Sequence, residues 1–513
     1  MRSSYVSCRA ASALACVLAA VLAPPAAAAA DPGTAETRPS GAPASLPEPV
    51  PPEDETDLGD PGYVLERIEI LGNAKTSNAL ILSLMSLRLG APWNEREGRI
   101  ARLALLTTGY FTDVTLSLAR GSRPGWVALR VKVKERNTLL LTDLFAASSP
   151  VVPAVFGMEV SETNLFGAGS FLSGAFVAGT GQAAFRLRWH DPSVARTPLG
   201  VGASLLFTDA TDFFGFRCRV LTPTTPQPPD PDCADVADAL PGALDWARLR
   251  YRRAGGSVGV SWAFSALTAL YADLRAELLW AAYAEGAVTR PVGAELDEPV
   301  DFSIVHGRSR LVSLVLSLER DSRDHPYLPR SGTLLTLTAE LSHTALGSSY
   351  SFAKVVAHAQ RIWRVRRNDA LKLDVLAGAV FGATPFFNRF FIGDVTDLVP
   401  YRNLEVAASA RPAPTLLPSS VDRMRYEDYV ARAAVEYAIP VKESIGEFFY
   451  GIDLFLRFGV YALFSSGDWR ARPGDTLPWR PPVDLTFDFG LRVDTVIGDF
   501  GLSLGNFIGV YPL

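Results

Sequence analysis

Between Val483 and Asp494 the chain alternates without a break: Val483, Leu485, Phe487, Phe489, Leu491 and Val493 against Asp484, Thr486, Asp488, Gly490, Arg492 and Asp494. Successive side chains of an extended strand point to opposite faces, so such a strand has one greasy face and one wet face. The pattern recurs over Leu270 to Leu278, Val312 to Leu318, Leu335 to Leu341 and Leu371 to Phe381, with Gly, Pro and Asp turns between. A soluble sandwich can show alternation too, but it needs a second apolar layer and shorter strands.

The first thirty residues narrow the choice. Arg2 and Arg9 precede an apolar core from Ala11 to Leu22, and Ala28-Ala29-Ala30 precede Asp31. That order predicts a secretory signal peptide over 1–30. Cys16 lies in the apolar core without a lipoprotein-type context, which argues against lipidation. No later stretch offers the ~20 continuous apolar residues of a membrane helix. In lipid only helices and closed barrels satisfy every backbone group, so an exported chain of long alternating strands predicts an outer-membrane barrel. Aromatics near strand ends, among them Trp363, Phe386, Phe387, Phe390, Phe391 and Trp479, are expected to form its interfacial girdle.

Composition agrees: 48% hydrophobic residues with only 20% charged is high for a soluble chain, and a net charge of -5 argues against a nucleic-acid surface. Walker, dinucleotide and zinc spacings are missing, and the five His are scattered singly, so no cofactor or metal is expected. A nucleophile, base and oxyanion donor in a recognisable arrangement are missing too, which argues against an enzyme. Cys218 and Cys233 flank a Pro-rich stretch and could pair to stiffen a loop.

In chain order, 31–62 is rich in Pro and acid with few large apolar residues and predicts a disordered tether. Residues 63–135 read as β-α-α-β-β, with Asn94 capping the second helix and Gly109 just past its end. From 138 to 513 fifteen strand candidates follow, where single-chain bacterial barrels have an even number. The expected count is therefore about 14 to 16, with one candidate false or one strand unseen.

Several motifs now carry a resemblance. Ile68-x-Ile70-x-Gly72-Asn73, Gly109-Tyr110-Phe111-x-Asp113-Val114 and Val131-x-Val133-x-Glu135 resemble a POTRA domain, the periplasmic polypeptide-binding module of the BamA/TamA-type superfamily of outer-membrane assembly proteins. Asn164-Leu165-Phe166-Gly167-x-Gly169, Asp191-Pro192 and Arg320-Asp321-x-Arg323-Asp324 through Pro329 and Gly332 are similar to that family's barrel turns. The resemblance implies a transmembrane antiparallel β-barrel of the bacterial surface antigen type with one periplasmic α+β POTRA-like domain. It implies insertion or translocation of outer-membrane or secreted polypeptides, with unfolded clients, outer-membrane lipid and periplasmic accessory proteins as partners and no nucleic acid. The alternative is a passive outer-membrane channel or structural barrel whose module docks a partner.

The family's lumen loop carries an Arg-Gly-aromatic tip whose Arg meets an acid in a following strand. Here Arg389-Phe390-Phe391-Ile392-Gly393-Asp394 starts the loop as in the family, but Val399 and Pro400 stand at the Arg-Gly positions before Tyr401 and Arg402. In Phe455-Leu456-Arg457-Phe458-Gly459, Arg457 replaces the acid. The double change permits an inverted pair, Asp397 or Asp394 against Arg457; the alternative is that Arg457 is a solvated lumen residue and the loop has drifted. The end, Val510-Tyr511-Pro512-Leu513, lacks the family's usual terminal aromatic.

Overall fold

The computed structural model describes residues 62–147, 154–214, 247–283, 289–291, 297–366, 368–391, 402–404, 406–407, 416–417, 419, 421, 426–445, 448–465 and 480–505. The expected signal peptide, nearly all of the expected tether, Cys218, Cys233 and Trp479 lie outside these residues.

The N-terminal module runs β1 (Val64–Leu71), α1 (Asn78–Met85), α2 (Glu95–Thr107), β2 (Phe111–Arg120) and β3 (Trp126–Glu135). β3 lies in the middle, parallel to β1 and antiparallel to β2. Both helices start on capped ends: Ser77 accepts from the Leu80 N–H, and the Asn94 side chain accepts from the Arg96 N–H at 2.8 Å. Gly109, at φ +72°, ends α2 in the left-handed conformation that glycine adopts without steric cost. Ile81, Leu105, Phe111, Val114, Leu129 and Val131 fill the core between helices and sheet.

The barrel strands follow in pairs. β4 (Leu139–Ala147), β5 (Val155–Leu165), β6 (Ser170–Gly179), β7 (Gln182–Asp191) and β8 (Leu199–Phe214) come first. Next are β9 (Ala247–Ser265), β10 (Thr268–Ala282), β11 (Gly307–Asp321), β12 (Gly332–Ser342) and β13 (Ser351–Arg364). β14 (Ala370–Ala383), β15 (Tyr429–Ile445), β16 (Phe449–Phe464), β17 (Val483–Thr495) and β18 (Gly498–Gly505) complete the set. Each is hydrogen-bonded antiparallel to the next, giving one fifteen-stranded sheet in chain order.

Fifteen is the number of candidates, so among the described residues none was false, and the expectation of an even total is not met. Because the count is odd, β4 and β18 both run away from the module, and a ladder between them would be parallel, the slightly weaker pairing. Among the described residues no register joins them. Among the described residues the hydrogen bonds joining their flanks lie at the module end, where the Leu141 N–H donates to the Ile497 carbonyl at 2.7 Å and the Asn137 side-chain amide donates to the Val496 carbonyl at 2.9 Å. The barrel is thus nearly closed, with a seam.

The two-faced pattern holds in β17: Leu485, Phe489 and Leu491 are exposed on the outside, while Asp484, Asp488 and Asp494 are buried on the inside. The expected girdle needs correcting. Phe386, Phe387, Phe390 and Phe391 are all 5% exposed or less and cluster with Tyr426, Phe214 and Tyr251 inside the barrel. Aromatic residues after a strand end look the same in sequence whether the chain turns outward to lipid or inward.

Candidate functional site

Three arrangements converge on the lumen and its module end. The first is the wall. Every second residue of β13 to β17 points inward, and several are charged, so a low-dielectric interior requires them to be paired. The Asp374 carboxylate on β14 accepts from Arg432 on β15 at 2.7 Å, from Gln360 at 2.7 Å and lies 3.2 Å from His358 Nε2. Arg457 on β16 comes within 3.7 Å of the same carboxylate, reaching past β15. Beside them Glu436 pairs with Arg492 and, at 3.2 Å, with Lys372. Arg492 lies over the Phe455 ring, 4.1 Å from its centroid. On the facing wall Glu277 binds Arg253 and Arg275, and Arg275 continues to Glu340 at 3.0 Å.

The second arrangement is the described part of 384–428, between β14 and β15, which reaches several walls of the lumen. Asn388 donates to Glu340 at 2.9 Å and accepts from Arg275 at 3.2 Å, while Arg253 lies 3.9 Å over the Phe387 ring. These contacts pin the start of the segment to β9, β10 and β12. Farther along, Thr208 of β8 donates to the Leu404 carbonyl at 3.3 Å, and Leu404 and Val406 are buried there. On the return, the Leu416 and Leu417 N–H groups donate to Asp484 of β17 at 3.0 and 3.1 Å. Tyr426 donates to the buried Asp212. Among the described residues the segment thus touches walls on several sides, as a plug does.

The sequence-derived site residues divide accordingly. Arg457 sits in the wall, 6% exposed, and Arg402 lies in the short Arg402–Asn403 strand of the plug. Gly393, Asp394, Asp397 and Tyr401 lie outside the described residues. The wall partner Asp374 was not anticipated. It stands two strands away from Arg457, at an inward position whose identity in sequence is one of many polar residues on alternating strands.

The third arrangement is the joint between module and barrel. The Asn164-to-Gly169 turn, read as turn chemistry alone, is also a socket. The Ser77 N–H at the start of α1 donates to the Gly167 carbonyl at 3.0 Å. Asn164 donates to Thr76 Oγ1 at 2.9 Å and accepts from the Gly169 N–H at 2.8 Å. Gly167, at φ +69°, leaves no room for a Cβ, which would collide with the Lys75 backbone carbonyl. On the module side, the Glu135 carboxylate gathers the Ala74, Lys75 and Thr76 N–H groups at 2.9, 2.9 and 2.6 Å. Burial pushes this carboxyl up, but the N–H groups of Thr76, Lys75 and Ala74 outweigh it and hold it below the usual range. Tyr110, pushed well up by burial, donates to the Gly169 carbonyl at 3.3 Å.

Arg136, the residue after β3, ties joint to seam. It makes two hydrogen bonds to Asp494 of β17, at 2.7 and 3.1 Å, with both side chains 1% exposed. It stacks over Tyr327 and Tyr450, 4.2 and 4.6 Å from their centroids.

The family model described as the Omp85 superfamily domain matches residues 164–461. The outer membrane protein assembly factor BamA of Nitratidesulfovibrio vulgaris is 25% identical over 462 residues, 86% of this chain and 51% of its own. The chain therefore spans about half the length of the curated relative it matches. Among solved structures, BamA from Haemophilus ducreyi lacking POTRA domains 1-3 is similar at 15% identity, covering 86% of this chain and 80% of that one with a TM-score of 0.45. CdiB from Escherichia coli is similar at 12% identity, covering 86% and 73%, with a TM-score of 0.47.

Proposed function

The chain belongs to the Omp85 superfamily, and from that premise we propose that it is an outer-membrane protein that helps outer-membrane or secreted polypeptides to insert or cross. Its N-terminal module is a POTRA-like domain on the periplasmic side, joined at the end of the barrel where Gly167 and Gly169 receive it. An unfolded client adds as a strand to the module's sheet. β1 is capped at its start by the Leu65 N–H to Ala91 and the Gly90 N–H to Leu65, at 3.0 and 2.8 Å, whereas β2 bears no backbone ladder on its outer edge among the described residues. β2 is therefore the receiving edge.

The seam is the single observation that carries the reading. Fourteen strand-to-strand ladders join the fifteen strands, and among the described residues no ladder joins β4 to β18, so the sheet has one line where a client strand can pair at little cost. A passive channel, the other reading, has no use for such a line and would be obstructed by the plug. The inverted pair of Asp394 or Asp397 with Arg457 belongs to the same proposal, with Arg457 already placed in the wall beside Asp374. Exchanging Asp397→Arg with Arg457→Asp should restore what either single change loses; a double variant no better than the singles would end that part.

Depletion of the protein followed by outer-membrane proteomics tests the whole. Other barrels or secreted proteins should fall. If none does while ion conductance across the membrane drops, the channel reading replaces this one.

A further inference from the structure

We propose that the outer face of β9 to β11, at the end remote from the module, binds phosphate-bearing lipid headgroups of the outer leaflet. The inference rests on the membrane-spanning orientation proposed above.

The register puts outward-facing side chains in rows. Trp262, Leu270 and Leu318 form one row; Val260, Ala272 and Leu316 the next; then Val258, Leu274 and Leu314, then Gly256, Ala276 and Val312. The next row changes character, to Ala254, Leu278 and Arg310, and the one beyond is Arg252, Trp280 and Arg308. Arg248 and Arg250 continue β9 outward, and all five arginines are exposed. The residues alternating with them, Leu249, Tyr251, Arg253, Ser309 and Leu311, are buried inside the barrel.

Height decides what this face meets. From Trp262 to Arg252 is ten residues, or roughly 34 Å along the strand at ~3.4 Å each. At a tilt of about 40° that becomes about 26 Å along the membrane normal, close to the ~25 Å apolar band of an outer-membrane barrel. The Trp262 row therefore marks one interface and the Arg252-Trp280-Arg308 row the other, with an indole at each. The arginines stand at the level of the outer headgroups.

Among the described residues their charge is mostly uncompensated. Asp209 pairs with Arg250 at 2.6 Å and Arg252 at 2.9 Å, and among the described residues no carboxylate pairs with Arg248, Arg308 or Arg310. A guanidinium fork matches a phosphate bidentately, and the flanking Trp280 and Leu278 suit the upper acyl chains. A phosphorylated saccharolipid of the outer leaflet offers both parts.

The test uses the whole chain reconstituted in phosphatidylcholine vesicles doped with bisphosphorylated lipid A or its dephosphorylated form. Native mass spectrometry then counts lipids retained on intact barrels, so unfolded protein does not contribute. Lipid A should be retained at least about tenfold better by the wild type than by R308Q/R310Q. R320Q, on the same face of β11 at the opposite end, should match the wild type. Asp209→Asn, which releases two arginines, should raise retention, a gain that misfolding cannot produce. Equal retention by R308Q/R310Q, equal retention of the dephosphorylated lipid, or no gain in the Asp209 variant would overturn the proposal. A barrel that never enters neutral vesicles overturns the spanning orientation and the inference with it, whereas one that enters but fails these comparisons overturns the inference alone.

Discussion

Two junctions hold this molecule in shape, and they are built in opposite ways. At the joint, a turn of the barrel and a loop of the module interlock through Asn164, Thr76, Ser77, Gly167 and Glu135, each with a named partner, and the buried Arg136–Asp494 pair lies alongside. At the seam, among the described residues, two short strands are joined through little more than the Leu141 and Asn137 hydrogen bonds, and Leu502 and Leu504 of β18 are 72% and 54% exposed. The difference teaches where the molecule is tied: the module is held to the rim by many named contacts, and the seam by few among the described residues.

Breaking the strongest tie gives the largest effect. Arg136→Ala leaves Asp494 buried without its guanidinium, which should cost about 3 to 5 kcal/mol. Thermal unfolding in detergent should show it as a lower midpoint, and an unchanged midpoint would mean the pair is not buried as described. Glu135→Gln should come next, at roughly 1.5 to 3 kcal/mol, because three N–H groups lose an ionised acceptor. The same contact carries a pH dependence. Since the folded carboxyl is held below its ordinary range, its contribution is complete above that range and is lost as pH falls through the lowered value. Protection of the 74–76 amides, taken relative to their intrinsic exchange rate at each pH, should fall on acidification in the wild type and already be low in the Gln variant.

Asn164→Ala should cost about 1 to 2 kcal/mol, by stranding the Gly169 N–H and Thr76 hydroxyl. Limited proteolysis should then release the module faster. Leu141→Pro should do least, about 1 kcal/mol or under: it removes one seam hydrogen bond from an edge strand, where proline is tolerated. A seam variant that destabilised as much as Arg136→Ala would erase the contrast between the two junctions.

Much of the fold was legible in the sequence because lipid imposes a strict period. The Val483 to Asp494 stretch could bury its acids only by facing a lumen, and the structure places Asp484, Asp488 and Asp494 there. The helix caps at Ser77 and Asn94 and the left-handed Gly109 are local, and of these Asn94 and Gly109 were readable in advance. What needs register was not readable. Asp374 and Arg457 meet across an intervening strand, and Glu135 meets 74–76 from the other end of the module. Phe386, Phe387, Phe390 and Phe391 suit an interfacial girdle in sequence and yet pack inside, because composition does not reveal which way a chain turns after its strand ends.

Hydrogen exchange resolved by residue across the folded barrel in lipid tests the central claim most directly. The seam-facing amides of β4 beyond Leu141 and of β18, which do not point into the β5 and β17 ladders, should exchange at least about a hundredfold faster than amides of β15 and β16, which are paired on both edges. Equal protection of the four strands would show a fully closed ladder and would contradict the account.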